Sequence, residues 1–254
     1  MTYCLALRLD EGLVFLADTR TNAGVDSIST YRKMHVLQPA DDRVFVLESA
    51  GNLATTQEVL DRLQRDLAAP GDQESLATVD HLFEAALYVG RLSRQVADEH
   101  RAALQGSGAD GTATFILGGQ IAGSPPDILL VYPEGNYIRA SDEQPFLQIG
   151  ETKYGKYLLE VAVTHDVDAI TATKIALGSM MSTARANLSV GPPYDLGIYL
   201  NDGLELEQFR ITHDSPVLTR LHQIWERHLV AAFAELPAIT REDLDASELS
   251  DLVD

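Results

Sequence analysis

Four residues in the first fifth of the chain, Thr2, Asp18, Lys33 and Gly51, are of the types that acyl transfer needs. Aminopeptidases remove an initiator methionine when the next residue is small, and loss of Met1 leaves Thr2 with a free α-amine beside its hydroxyl. Such an amine has an ordinary pKa of about 7.7–8.0, which suits a general base near neutral pH. A threonine hydroxyl activated by its own amine is an established form of covalent catalysis. A lysine close by lowers the amine pKa and helps deprotonate the hydroxyl, and a carboxylate keeps that lysine charged. Asp18 in LADTRTNAG and Lys33 in RKMHV supply these two groups, and Gly51 offers a backbone N–H to a developing oxyanion. Each residue also has a plain structural use. Many chains begin Met-Thr, ion pairs are common at strand ends, and a glycine can simply stop a strand.

The elements that must position these residues follow from the pattern of apolar side chains. YCLALRL alternates as a half-buried strand requires, and a turn at Asp10-Glu11-Gly12 leads to a second strand, GLVFLAD. Asp18 ends that strand. A polar loop then leads to the pair KMHVLQP and RVFVLES, so Lys33 opens a strand and Gly51 follows one. Two helices are expected over Leu53–Leu67 and Ser75–Leu104, the second stopped by GSGADG. Strands resume in TATFILGG, DILLVYP and NYIRAS. Helices are read at Lys153–Val163 and Ala169–Leu188, and the last strands are YDLGIYL and LELEQFRIT. A helix over Pro216–Glu235 precedes the stretch TREDLDASELSDLVD, which holds six acids and one arginine and reads as a solvated tail or weak amphipathic helix. No repeat or linker interrupts residues 1–254, which predicts one domain with residues 215–254 as a helical extension and acidic tail. Hairpins separated by helix pairs argue against a parallel sheet. They predict an α+β fold, a four-layer αββα sandwich of two antiparallel sheets with helix pairs outside.

Composition excludes several function classes. A net charge of -19 argues against nucleic acid or an anionic membrane surface as partner, since both reward a basic patch. No segment approaches the roughly 20 apolar residues of a membrane span, and the N-terminus lacks the basic-then-apolar pattern of a signal peptide. A single cysteine rules out an internal disulfide and points to the cytoplasm. There is no GxSxG, phosphate loop, HExxH or cysteine pair, and the seven histidines are scattered, so no metal or cofactor is expected.

Read together, these segments resemble a known family. The N-terminal Thr, ADTRTNAG, the lysine after it, SAGNLAT before a helix, and FILGG followed by LLVYPEGNYIRA resemble a proteasome β-subunit from about Thr2 to Leu200. MTYCLALRLDEGLVFLADTRTNAGVD with IGETKYGKYLL and LSVGPPYDL is most similar to Anbu, the bacterial ancestral β-subunit branch of that superfamily. The resemblance implies an Ntn-hydrolase fold, a homo-oligomeric ring or helical assembly, and threonine-type hydrolysis of peptides or unfolded proteins. It makes Thr2 the nucleophile, Asp18 the acid that holds Lys33, and Gly51 the oxyanion glycine. Glu151, Asn187 and Ser189 fall where proteasomes support the N-terminal amine with Ser, Asp and Ser. Glu151 thus replaces a serine and Asn187 an aspartate, and these two also read as a helix-start cap and a helix-end residue. Maturation is expected to need only removal of Met1. Neither the symmetry of the assembly nor an ATPase partner follows from the residues.

Two other readings stand beside this one. The chain could be an amidohydrolase acting on a small-molecule or cross-linked amide, or a weakly active scaffold that keeps only its assembly surface. Cys4, two residues from Thr2 on the same strand face, reads as a small buried thiol or as a competing nucleophile.

Overall fold

The computed structural model describes residues 2–22, 28–68 and 74–240. The chain forms two compact units, Met1–His213 and Asp214–Asp254. Among its described residues the first holds two five-stranded antiparallel sheets and four helices, which confirms the α+β class.

In the first sheet, β1 (Tyr3–Leu9) and β2 (Gly12–Asp18) form the N-terminal hairpin. β10 (Phe146–Gly150) pairs with β1, β11 (Tyr194–Leu200) with β2, and β12 (Leu206–Ile211) with β11. The second sheet runs in sequence order: β5 (Met34–Ala40), β6 (Arg43–Gly51), β7 (Ala113–Ile121), β8 (Asp127–Val131) and β9 (Tyr137–Arg139). A two-stranded ribbon of β3 (Arg20–Asn22) and β4 (Ile28–Thr30) joins them. The helices are α1 (Leu53–Ala68), α2 (Leu82–Ser107), α3 (Lys153–Ala162) and α4 (Ala169–Ala186).

Side-chain alternation sorts the packing. Phe45, Leu47, Phe115, Leu117 and Leu129 project from the second sheet onto Val59, Leu63, Val89 and Val96 of α1 and α2. From the opposite face, Val44, Val46 and Ile116 meet Cys4, Ala6, Phe15, Ala17 and Tyr199 of the first sheet. The outer face of the first sheet is covered by α4, which packs on α3. One consequence corrects the sequence reading: β1 is buried on both faces, and of its residues only Arg8 is part-exposed. YCLALRL alternates between two kinds of core, not between core and water.

Three further differences have local causes. The ribbon β3–β4 lies within what reads as a polar loop, and β10 reads too weakly to be picked out beside the helix that follows it. Residues 75–81 are not helical. There Thr78 and Ser75 exchange hydrogen bonds in a turn, and the Glu84 carboxylate accepts from the amides of Asp80 and His81, setting the start of α2 at Leu82.

The inter-sheet core also contains Glu48, opposite Met34 and Ile116 in register. It is fully buried, and neither carboxyl oxygen has a hydrogen-bond partner among the described residues. Burial pushes this carboxyl well above the usual range, and the nearby Leu16 amide, short of hydrogen-bond geometry, opposes that only weakly.

The second unit contains α5 (Pro216–Glu235), with Ser215 at its N-cap and Pro216 in its first turn. Trp225, Leu229, Val230 and Phe233 are exposed on it. The expected acidic tail, residues 241–254, lies outside the described residues.

Candidate active site

Asp18 and Lys33 form the centre of the site. Asp18 is the last residue of β2 and fully buried. Its Oδ1 accepts from Lys33 Nζ at 2.7 Å and from the Tyr3 amide at 2.9 Å, and its Oδ2 accepts from the Gly191 amide at 3.4 Å. Lys33 Nζ donates a second bond, 2.7 Å, to the Arg20 carbonyl, which fixes the ammonium between two oxygens. Burial pushes the Asp18 carboxyl up, and the Lys33 charge and the two amides pull it back.

Thr2 precedes β1 and is held by its backbone. Its carbonyl accepts from the Glu151 amide at 2.7 Å. Gly150, just before, has a φ of +86°, and a Cβ there would stand 2.0 Å from the Thr2 carbonyl oxygen. Only glycine lets the end of β10 come this close. Gly51 has a φ of +111°, and a Cβ on it would meet the Thr112 carbonyl oxygen at 2.5 Å.

Thr2, Lys33 and Gly51 line one cleft of about 480 Å³. Its other walls are Thr21, Tyr31, Ser49, Ala50, Leu53, Thr56 and Gly150. Thr21 Oγ1 is buried there with no hydrogen-bond partner among the described residues. Among the described residues of this lining, Lys33 is the only one with a charged side chain.

The later segments converge on the same place. Asn187 Nδ2 donates to Glu151 Oε2 at 3.0 Å, and the Ser189 amide donates to Asn187 Oδ1 at 2.9 Å. A chain of hydrogen bonds therefore runs from Thr2 through Glu151 and Asn187 to Ser189. Asn187 is also the C-cap of α4, so it is a helix-end residue and a link at once. Glu151 is not a cap, since Thr152 occupies the N-cap of α3. Met1 lies outside the described residues, so the structure bears on the position of Thr2 and not on its processing.

The structure thus brings together all seven residues singled out in the sequence. Sequence reasoning missed Tyr3, whose amide serves Asp18, and the wall residues Thr21, Tyr31 and Thr56. Gly150 carried a readable signal, a glycine between an apolar run and a helix start. Cys4 is fully buried, donates weakly to the Ser49 carbonyl, and is pushed up by burial and by Glu48. It packs the core and does not line the cleft.

No protein-family model and no curated protein matches the chain, but solved structures do. The Anbu (ancestral β-subunit) protein of Yersinia bercovieri is 43% identical over 94% of this chain and 99% of its own, with a TM-score of 0.87. The chain belongs to the Anbu family. Anbu from Hyphomicrobium sp. strain MC1 is 41% identical over 94% of this chain and all of its own (TM-score 0.85). Anbu from Pseudomonas aeruginosa, described as a helical assembly of the Anbu complex, is 40% identical over 94% and 98% (TM-score 0.88). The Anbu resemblance read from IGETKYGKYLL and LSVGPPYDL is therefore correct. No described helix is long and apolar enough to cross a membrane.

Proposed function

We propose that the protein is a proteasome-like N-terminal threonine hydrolase that cleaves amide bonds in peptides or unfolded proteins within a self-assembled homo-oligomer. On this reading its helix-sheet-sheet-helix packing is the four-layer αββα sandwich of the Ntn-hydrolase fold. The supporting observation is the position of Lys33, whose ammonium is locked between Asp18 and the Arg20 carbonyl and faces the same cleft as Thr2 and Gly51.

After loss of Met1, the Thr2 hydroxyl would attack the substrate carbonyl while its own amine accepts the proton. The fixed positive charge of Lys33 favours the neutral amine and the developing alkoxide. The Gly51 amide would stabilise the oxyanion, and water would release the acyl-enzyme. The Glu151–Asn187–Ser189 chain would hold the N-terminal residue against the cleft. The cytoplasm is the compartment that suits the lone thiol. The exposed apolar residues of α5 would be covered by a second copy of the chain. Truncation after Asp214 then changes the size of the assembly, and an unchanged size would refute that role.

The experiment that tests the hydrolase reading is intact-mass analysis after incubation with an epoxyketone or β-lactone. The expected result is loss of Met1 and one adduct on Thr2, absent in Thr2→Ala. Retained Met1 with no adduct would overturn it. Peptide, isopeptide and small-amide substrates, compared between wild type and Thr2→Ala, then define the scope.

A further inference from the structure

A second polar cavity lies beside the site, between the edge strands of the two sheets. Asp195 on β11 pairs in register with Ala17 and Arg210, so it is on the strand face that turns toward the inter-sheet core. It is only 5% exposed, yet its Oδ2 has no hydrogen-bond partner among the described residues. Two guanidinium groups approach without closing on it. Arg32 Nε is 3.8 Å from Oδ2, and Arg210 Nε is 3.6 Å from Oδ1, both beyond hydrogen-bond range. Both arginine side chains are about half exposed. These three residues, with Gln208 and the apolar Met34 and Phe209, enclose about 180 Å³. A single water needs only ~10–15 Å³, so the space is of small-molecule size.

The charge pattern selects the occupant. A simple cation would be repelled by the two arginines, and a simple anion, though drawn by their excess positive charge, would leave Asp195 Oδ2 without a partner. A ligand carrying both charges satisfies both sides at once, its ammonium on the open Asp195 oxygen and its carboxylate across Arg32 and Arg210. Met34, part of the inter-sheet core, leaves an apolar wall for the rest of it. We propose that this cavity is a binding site for a free α-amino acid with a small to medium apolar side chain. Burial pushes the Asp195 carboxyl up and Arg210 and Arg32 oppose it, so a ligand ammonium would act in the same sense as the arginines. The site is built on residues adjoining the central pair: Arg32 precedes Lys33, and Asp195 is paired with Ala17, which precedes Asp18. It does not depend on the hydrolase reading, because binding is measured without turnover.

Calorimetric or NMR titration of the full chain with leucine tests it. Leucine should bind saturably, and N-acetyl-leucine and leucine methyl ester, each lacking one charge, should bind at least about tenfold more weakly. Asp195→Asn should lose leucine binding by a similar factor, which separates this cavity from the Thr2 cleft. The proposal fails if wild type shows no saturable signal up to about 10 mM leucine. It also fails if the blocked compounds bind as leucine does, or if Asp195→Asn binds unchanged. Should that variant not fold, the three ligands on wild type decide alone.

Discussion

Asp18 and Glu48 are both fully buried carboxyl groups, and both lie next to the segment that carries Lys33: Asp18 bonds to Lys33 itself, while Glu48 is the register partner of Met34. Their surroundings differ completely. Asp18 ends its strand, where the ladder leaves the amides of Tyr3 and Gly191 free to point at it and where a lysine can enter from the next segment. Glu48 sits mid-strand between β5 and β7, where neighbouring amides are consumed by the two ladders and the facing side chains are apolar. Burial alone therefore does not decide whether a carboxyl is an ion. The supply of unspent donors decides it, and strand ends have them while strand centres do not.

The largest effect should come from breaking the satisfied pair. Lys33→Met leaves Asp18 buried without its cation, which costs about 3–5 kcal/mol. For a chain of this size that lowers Tm by roughly 10 °C. The loss should shrink at low pH, where Asp18 takes up a proton, and should be partly recovered in Asp18→Leu/Lys33→Met. Thermal unfolding at two pH values checks both. A Tm unchanged in Lys33→Met would show that Asp18 draws its stability from the amides alone.

The unsatisfied acid should respond in the opposite direction. Glu48→Leu removes a carboxyl that no donor meets and fills the same space with carbon, a gain of about 1–3 kcal/mol. The pH dependence has a defined sign. Glu48 keeps its proton in the folded state while the unfolded chain loses it near the ordinary value of about 4.3. The folded state thus binds more protons above that pH, and wild-type stability falls as pH rises until Glu48 itself ionises, by at most about 1.4 kcal/mol per pH unit. Asp18, also pushed up, contributes with the same sign in both proteins, so the difference between the wild-type and Glu48→Leu curves isolates Glu48. Chemical denaturation between pH 5 and 8 measures it, and parallel curves would mean that Glu48 is already ionised.

The same contrast explains what was legible in the sequence. The two hairpins and four of the five helix ranges to within about two residues could be read, and the seven candidate residues that the structure brings together could be picked out, because each rests on local alternation, turn residues or an ordered motif. Glu48 and Asp195 could not. An acid within an apolar strand looks the same whether its neighbours across the sheet offer donors or not, and that depends on which strands pack together. Tyr3 escaped notice for a related reason: its contribution to the site is a backbone amide, which every residue has, and its phenol looks like any buried aromatic. The start of α2 was misplaced because the Glu84 carboxylate turns back onto Asp80 and His81, a contact that helical periodicity cannot register.

Tyr3 supplies the smallest and sharpest test, since it bears on both faces of β1 at once. Its amide holds Asp18, while its phenol lies on the other side, touching Ser179 Oγ at 2.7 Å and donating to Gln148 at 3.0 Å. Tyr3→Phe keeps the amide and removes only the hydroxyl. Ser179 retains its bond to the Gly155 carbonyl, so one partner is still satisfied and the cost should be about 1 kcal/mol. Labelling of Thr2 by a β-lactone should proceed at the wild-type rate, because nothing on the Asp18 side has changed. A variant that loses labelling with only this small loss of stability would mean that the outer face, through α3 and α4, also positions the nucleophile.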